Sequence, residues 1–257
     1  MATEQELEQV RPRLFGLIAE ERIAVVDIER PDPAPLAELA KVADLSSAVS
    51  DALDELGVGG GVGASTLVPL AAGHRVIGPA ITIRYVPEEV TQAALAARGE
   101  RARLADRDLY NVGRPGDVAV FDCGGFTGAS VMGGLSAAWA RRVQMAGCVV
   151  DGAVRDVGSI REEGVQVWSR GITPVSGKHR VQAIEINGTV ALAGLVVRPG
   201  DVIAADDTGV CAFPAGHLEA VRDIVMAAEE AEGKVTAAIS DGRSLEEVAQ
   251  ILRPERW

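Results

Sequence analysis

Apolar positions change their spacing several times along the chain, and each change marks an element. Between Ala48 and Leu56, Val49, Leu53 and Leu56 fall along one helical face. Such spacing predicts helices over 3–22 and 36–56. Pro31, Pro33 and Pro35 break the chain before the second, and the glycine-rich stretch Gly57–Gly63 ends it. His74–Val86 reads as a strand with a Gly-Pro break in its middle, and 87–110 as a helix plus a charged excursion. The apolar runs at 117–122, 147–151 and 165–168 have the length and composition of buried strands. Between them lie a helix of small residues, 129–146, and a short amphipathic helix, 156–163. The stretch Glu185–Pro214 is almost wholly β in character, and helices at about 215–232 and 244–252 close the chain.

Strands alternating with helices define an α/β centre, with further sheet added around 180–213. No composition shift marks a linker. We divide the chain into a helical N-terminal extension (1–45), a compact α/β domain (46–235) and a C-terminal helical tail (236–257). One short echo stands out: Arg114-Pro-Gly-Asp-Val118 and Arg198-Pro-Gly-Asp-Val202 each precede an apolar strand. Pro-Gly is type II turn chemistry, so both copies read as tight turns feeding central strands and not as ligand sites.

Charge narrows the field of partners. A formal net charge of −12 argues against nucleic acid, which needs a basic surface, but leaves room for a small anion in a local basic pocket. The N-terminus is polar and acidic, unlike a signal peptide. No apolar run reaches the ~18 residues of a membrane span. Cytoplasm is therefore the expected compartment, with no membrane partner. Cys123, Cys148 and Cys211 are widely spaced and odd in number, so buried thiols are expected, not a zinc site or a disulfide framework.

The chemistry concentrates at Asp151-Gly-Ala-Val-Arg-Asp156, which follows the apolar run Cys148-Val-Val150. Adjacent Arg155 and Asp156 at the end of a core strand need partners. Arg offers a fork that fits a carboxylate, and Asp a hard oxygen for a divalent metal. A metal-chelated 2-oxo acid clamped by Arg uses both, whereas ion-pairing at a strand end is the plain alternative. Gly124-Gly-Phe-Thr-Gly128 is expected to open the 129–146 helix, with Gly133-Gly134 a turn further in, where free N–H groups form an anion site. In Gly171–Arg180, Lys178 or Arg180 would bind a second carboxylate and His179 would transfer protons; an exposed, solvated loop is the competing reading. Asp206-Asp207-Thr208-Gly209 reads as a β-turn. Asp122 and Glu185 are further acids near the site.

The run Pro115-Gly-Asp-Val, Asp122-Cys-Gly-Gly, Gly133 and Asp151–Asp156 resembles the RraA-like family. That family includes class II 4-hydroxy-4-methyl-2-oxoglutarate / 4-carboxy-4-hydroxy-2-oxoadipate aldolases and regulators of ribonuclease activity. Pro199–Val210 and Ser50-Asp-Ala-Leu-Asp54 fit it too, and the resemblance covers roughly 45–235. It implies a compact β/β/α fold likened to swivelling phosphohistidine domains, and a homotrimer or homohexamer with the active site near a subunit interface. It also implies that Asp156 binds Mg²⁺ or Mn²⁺ and that Arg155 contacts the oxo-acid end of the substrate. The backbone of Gly133, Gly134, Leu135 and Ser136 would cradle the pyruvyl carboxylate.

One departure matters. The resembled aldolases carry an acid, twenty residues, then Arg-Asp; that acid's position here is Gly134. The first expectation is a metal-dependent lyase that releases pyruvate, by retro-aldol cleavage of a 4-hydroxy-2-oxo dicarboxylate or decarboxylation of oxaloacetate. The alternatives are a non-catalytic regulatory protein and a hydro-lyase or isomerase of a sugar-derived oxo acid.

Overall fold

The computed structural model describes residues 2–251; residue 252 of the last expected helix and the remainder of the tail lie outside them. Helix α1 is Glu4–Val10, opened by a Thr3–Glu6 capping box. The expected helix 3–22 does not continue beyond it. Pro12 admits only a 3₁₀ turn, Gly16 takes a left-handed φ of 66°, and a second 3₁₀ turn comes at Glu20–Arg22. The expected helix 36–56 is likewise two. In α2 (Pro33–Leu39), Asp32 caps and Pro33 occupies the first turn, so these prolines start a helix where a break was expected. Helix α3 (Leu45–Leu56) buries Leu45, Val49, Ala52 and Leu53 and ends at left-handed Gly57. The extension is thus mostly irregular. It packs on its own chain: Leu7, Val10, Ile18, Ile23, Val26 and Ile28 join the main apolar cluster.

After α3 come β1 (Gly60–Gly63), a glycine-rich strand the sequence did not suggest, β2 (Val68–Pro69) and β3 (Val76–Pro87). Next are α4 (Gln92–Ala97), α5 (Asp106–Val112) and β4 (Val118–Asp122). The expected helix 129–146 divides into β5 (Ser130–Met132) and α6 (Gly134–Arg142), because Ser130 and Met132 pair beside the next strand. That strand is β6 (Gly147–Val154), buried at every position, and it leads to α7 (Val157–Glu163) and β7 (Val167–Ile172). Then come β8 (Val181–Ile186), β9 (Val190–Leu192), β10 (Leu195–Val197), β11 (Val202–Ala205) and β12 (Gly209–Phe213). Helices α8 (Leu218–Ser240) and α9 (Leu245–Ile251) end the described chain.

The architecture is mixed α/β. Strand β3 is the hinge of a ten-stranded sheet of order β1-β12-β11-β3-β4-β6-β7-β2, with β5 on β6 and β8 on β3. Its Gly78-Pro79 is no break. Val76–Pro79 pairs antiparallel with β11, and from Ala80 onward the strand runs parallel to β4, so the dipeptide marks the change of neighbour. The parallel core β3-β4-β6-β7 explains why these strands read as continuous apolar runs. Both Arg-Pro-Gly-Asp copies form the expected turns: Gly116 and Gly200 have φ of 89° and 90°, and Asp117 and Asp201 carboxylates each accept the amide three residues back at 2.8 Å. Asp206 likewise closes the β11–β12 turn, accepting Thr208 N at 2.8 Å and the Ser46 hydroxyl at 2.6 Å.

Candidate functional site

Parallel strands end together, so the segments that leave them share one edge of the sheet. At that edge β5, the first turn of α6, the end of β6 and the start of α7 border a cavity of about 240 Å³ that is also lined by Leu104, the first turn of α5 and Ser176. The sequence folds this way because β6 ends at Val154 and the next amide, Arg155 N, donates to Met132 O of β5 at 3.0 Å. Asp156 then adopts a left-handed backbone (φ 55°, ψ 43°), which Asp tolerates better than most residues. The turn leaves the Asp156 side chain uncommitted to capping α7. Its carboxylate instead accepts Gly134 N at 3.3 Å and Arg155 Nε at 3.1 Å.

Arg155 and Asp156 therefore pair with each other at the cavity, with side chains 39% and 40% exposed. Gly133 is needed for this: a Cβ there would lie 2.7 Å from Asp156 Oδ2 and 3.0 Å from Arg155 Cγ. Gly133 N-caps α6, and Ala137 N makes the first intrahelical bond, to Gly133 O at 3.0 Å. The amides of Gly134, Leu135 and Ser136 thus belong to the open first turn that lines the cavity. Gly133, Gly134, Leu135, Ser136, Arg155 and Asp156 are all brought together.

Lys178, His179 and Arg180 are not. Lys178 is exposed, His179 is 5% exposed with φ 59°, and Arg180 donates to Ser176 O at 2.9 Å, bracing its own loop. That loop reaches the cavity through Ser176. Asp122 and Glu185 also lie elsewhere. Asp122 accepts Gly124 N at 3.0 Å and Ala191 N at 3.1 Å, and Arg84 approaches Asp122 and Glu185 at 3.5 Å each. The Gly124–Gly128 turn leads into β5, so the amide cradle is at Gly133–Ser136 only.

Two residues that the sequence reading passed over as a charged excursion enter the wall: Asp106 and Arg107. Asp106 is 4% exposed, and burial pushes its carboxyl above the ordinary 3.8, opposed by a hydrogen bond from Ser136 and by the Arg107 charge. The Ser136 hydroxyl also meets Tyr110 Oη at 3.0 Å. Arg107 Nε is buried without a hydrogen-bond partner; Asp106 Oδ1 stands 4.0 Å away. Their signal was weak because neither falls in an apolar run or a recognisable motif. Leu135 of the cavity wall is 84% exposed, and Ile172, paired with Val154 beside Arg155, is 64% exposed.

Among the described residues no group of three His, Cys, Asp or Glu side chains converges to hold a metal unaided. A lone half-exposed carboxylate suits Mg²⁺ or Mn²⁺, which keep several waters and accept substrate oxygen, so the donor set fits a cation completed by ligand and solvent.

A mixed α/β sheet carrying a glycine-opened helix and a strand-terminal Arg-Asp is the class of protein these features define. The family is established by comparison: the RraA-like model (Aldolase/RraA) matches residues 46–212, and the chain belongs to that family. Protein DlpA of Legionella pneumophila is 36% identical over 205 residues, 80% of this chain but only 32% of its own length. A Halalkalibacterium halodurans protein named "Putative 4-hydroxy-4-methyl-2-oxoglutarate aldolase" is 31% identical over 68% of this chain and 75% of its own. Among solved structures, Streptomyces coelicolor RraAS2, described as an unusual member of the RNase ES inhibitor RraA protein family, superposes with a TM-score of 0.67 at 28% identity, covering 80% of this chain and 98% of that one. An uncharacterized Pseudomonas syringae protein gives 0.71 at 25%, over 86% and 98%. No helix among the described residues is long and apolar enough to cross a membrane.

Proposed function

We propose that this protein is a divalent-metal-dependent lyase that cleaves a small 2-oxo acid to pyruvate, by retro-aldol or decarboxylation chemistry. The observation that carries the reading is the Asp156 carboxylate, turned by a left-handed backbone away from its helix and toward the Gly134 amide and the Arg155 guanidinium. The aldolase names of relatives support it. Asp156 would hold Mg²⁺ or Mn²⁺, which supplies electrophilic stabilisation of the enolate left when a C–C bond breaks. Arg155 would move from Asp156 to the substrate carboxylate, with the α6 amides holding its other oxygen. Asp106, a buried carboxyl of the cavity wall raised above its ordinary value by desolvation, would be the acid that carries a proton where Gly134 brings none. A trimer or hexamer in which a second copy covers the site would bury the exposed Leu135 of the cavity wall.

Gly134 also favours a second reading, a non-catalytic binding protein. The two part in one experiment: pyruvate release from oxaloacetate and 4-hydroxy-2-oxo acids with and without Mg²⁺, for wild type and Asp156→Asn. Asparagine tolerates the left-handed backbone, so the fold is kept while the charge is lost. Metal-dependent release abolished in the variant is the expected result. No release from any substrate sinks the lyase reading.

A further inference from the structure

The geometry points to Arg107, carried on Phe15 of the N-terminal segment, as the anchor for a second carboxylate of the ligand. This rests on the reading of the cavity as a 2-oxo acid site and deepens it. Arg155 and the α6 amides account for one anionic end, yet the cavity holds a second guanidinium. Arg107 lines it from the first turn of α5, and its Nε is buried with no acceptor. A buried unpaired donor costs on the order of a hydrogen bond or more, so it persists where a ligand or packing repays it. Asp106 Oδ1 of the neighbouring acid approaches this Nε only to 4.0 Å, an ion-pair distance beyond hydrogen-bond reach, so the Arg107 N–H is left without an acceptor.

What holds Arg107 in place comes from outside the α/β domain. The Asp108 carboxylate accepts the amides of Phe15 and Leu17 at 2.5 and 2.6 Å, tying the N-terminal segment over α5. The Phe15 ring then lies 5.6 Å from the Arg107 guanidinium carbon and packs edge-on against Trp139 of α6 at 5.1 Å. Trp139 is itself fixed by a 3.0 Å bond from its Nε1 to Asn111 Oδ1. Stacking on an aromatic face restricts a guanidinium while leaving its outer N–H groups for an anion. Phe15 is accordingly a positioning residue, and the N-terminal segment completes the specificity wall.

Calorimetry with Mg²⁺ present tests this with two probes of equal chain length, dianionic 2-oxoglutarate and monoanionic 2-oxopentanoate. Wild type should prefer the dianion, and Arg107→Gln should lower the dianion-to-monoanion affinity ratio on the order of 10- to 100-fold. Arg107→Lys should restore part of the ratio, and Phe15→Ala should lower it less than Arg107→Gln. Thermal unfolding of each variant identifies any that fail to fold, in which case the lysine and Phe15 variants carry the test. A ratio unchanged by Arg107→Gln and Phe15→Ala, or wild type that binds neither probe, overturns the proposal. Binding that depends on Arg107 without pyruvate release would sink the lyase reading and leave this one standing; release with an unchanged ratio would do the reverse.

Discussion

Gly134→Ala reports whether the missing acid is a simple deletion or part of a repacked contact. Gly134 is the first residue of α6 and its φ is not in the left-handed region, so alanine carries no backbone strain there. Helix propensity alone would make the change favourable, by up to about 1 kcal/mol. The neighbour decides otherwise. A Cβ at 134 would stand 2.8 Å from Ser159 Cβ and 3.3 Å from its Oγ, and Ser159 is anchored on α7 where rotation of its hydroxyl cannot move its Cβ. Two helices must separate by several tenths of an ångström, an overpacking that costs about 1–3 kcal/mol. Net destabilisation of Gly134→Ala should therefore be about 1–2 kcal/mol, and in a Ser159→Gly background the same substitution should be neutral or stabilising. Urea unfolding of the four proteins of the cycle gives the coupling. A coupling under about 0.5 kcal/mol, the range of independent sites, would refute the contact. The consequence for function is direct: restoring an acid at 134 requires removing the Ser159 side chain as well.

Two further outcomes stem from burial. The Asp106 carboxyl is raised above its ordinary 3.8 by desolvation, so it favours the fold fully below that value and loses that contribution as pH rises through its folded pKa. Wild type should thus lose stability relative to Asp106→Asn as pH rises above the ordinary 3.8; a difference that stays flat with pH contradicts the assignment. All three cysteines are buried, and desolvation pushes Cys148 and Cys211 up to about 12. Native protein should resist thiol-specific alkylation at neutral pH and label at Cys123, Cys148 and Cys211 only after unfolding, and fast native labelling would contradict the burial.

The parts of this molecule legible in its sequence are those where one physical requirement dominates. Strands buried on both faces must be apolar, so β4 and β6 announce themselves, and Gly116 and Gly200 must be glycine to take φ near 90°. Arg155-Asp156 stood out because two charges at the end of such a strand call for a reason. Where requirements compete, the sequence misleads. The small residues of 129–146 suit a helix, but Ser130–Met132 gain more by pairing beside β6, and only from Gly134 does the helix begin. Of the three consecutive basic-capable residues at 178–180, Arg180 braces its own loop and His179 is buried, and it is Ser176 of that loop that lines the cavity.

The opposite error concerns Asp106-Arg107, and it is the more instructive. Nothing local distinguishes them from the charged surface around them, because their role depends on where three distant segments meet. Helix α5 brings both into the cavity wall, α6 supplies Ser136 to the one, and residues 15–17 supply an aromatic ring to the other. Each of those contacts spans far more chain than a motif covers. An irregular N-terminal segment, low in periodic signal, therefore ends up packed against the Arg107 side of the cavity, while the periodic core supplies its Arg155-Asp156 end. A site assembled in this way separates the two tasks by origin. On the proposed reading the strand-terminal Arg-Asp and the glycine-opened helix would hold the oxo-acid end, and the wall built by α5 and the N-terminal segment would select what is attached to it.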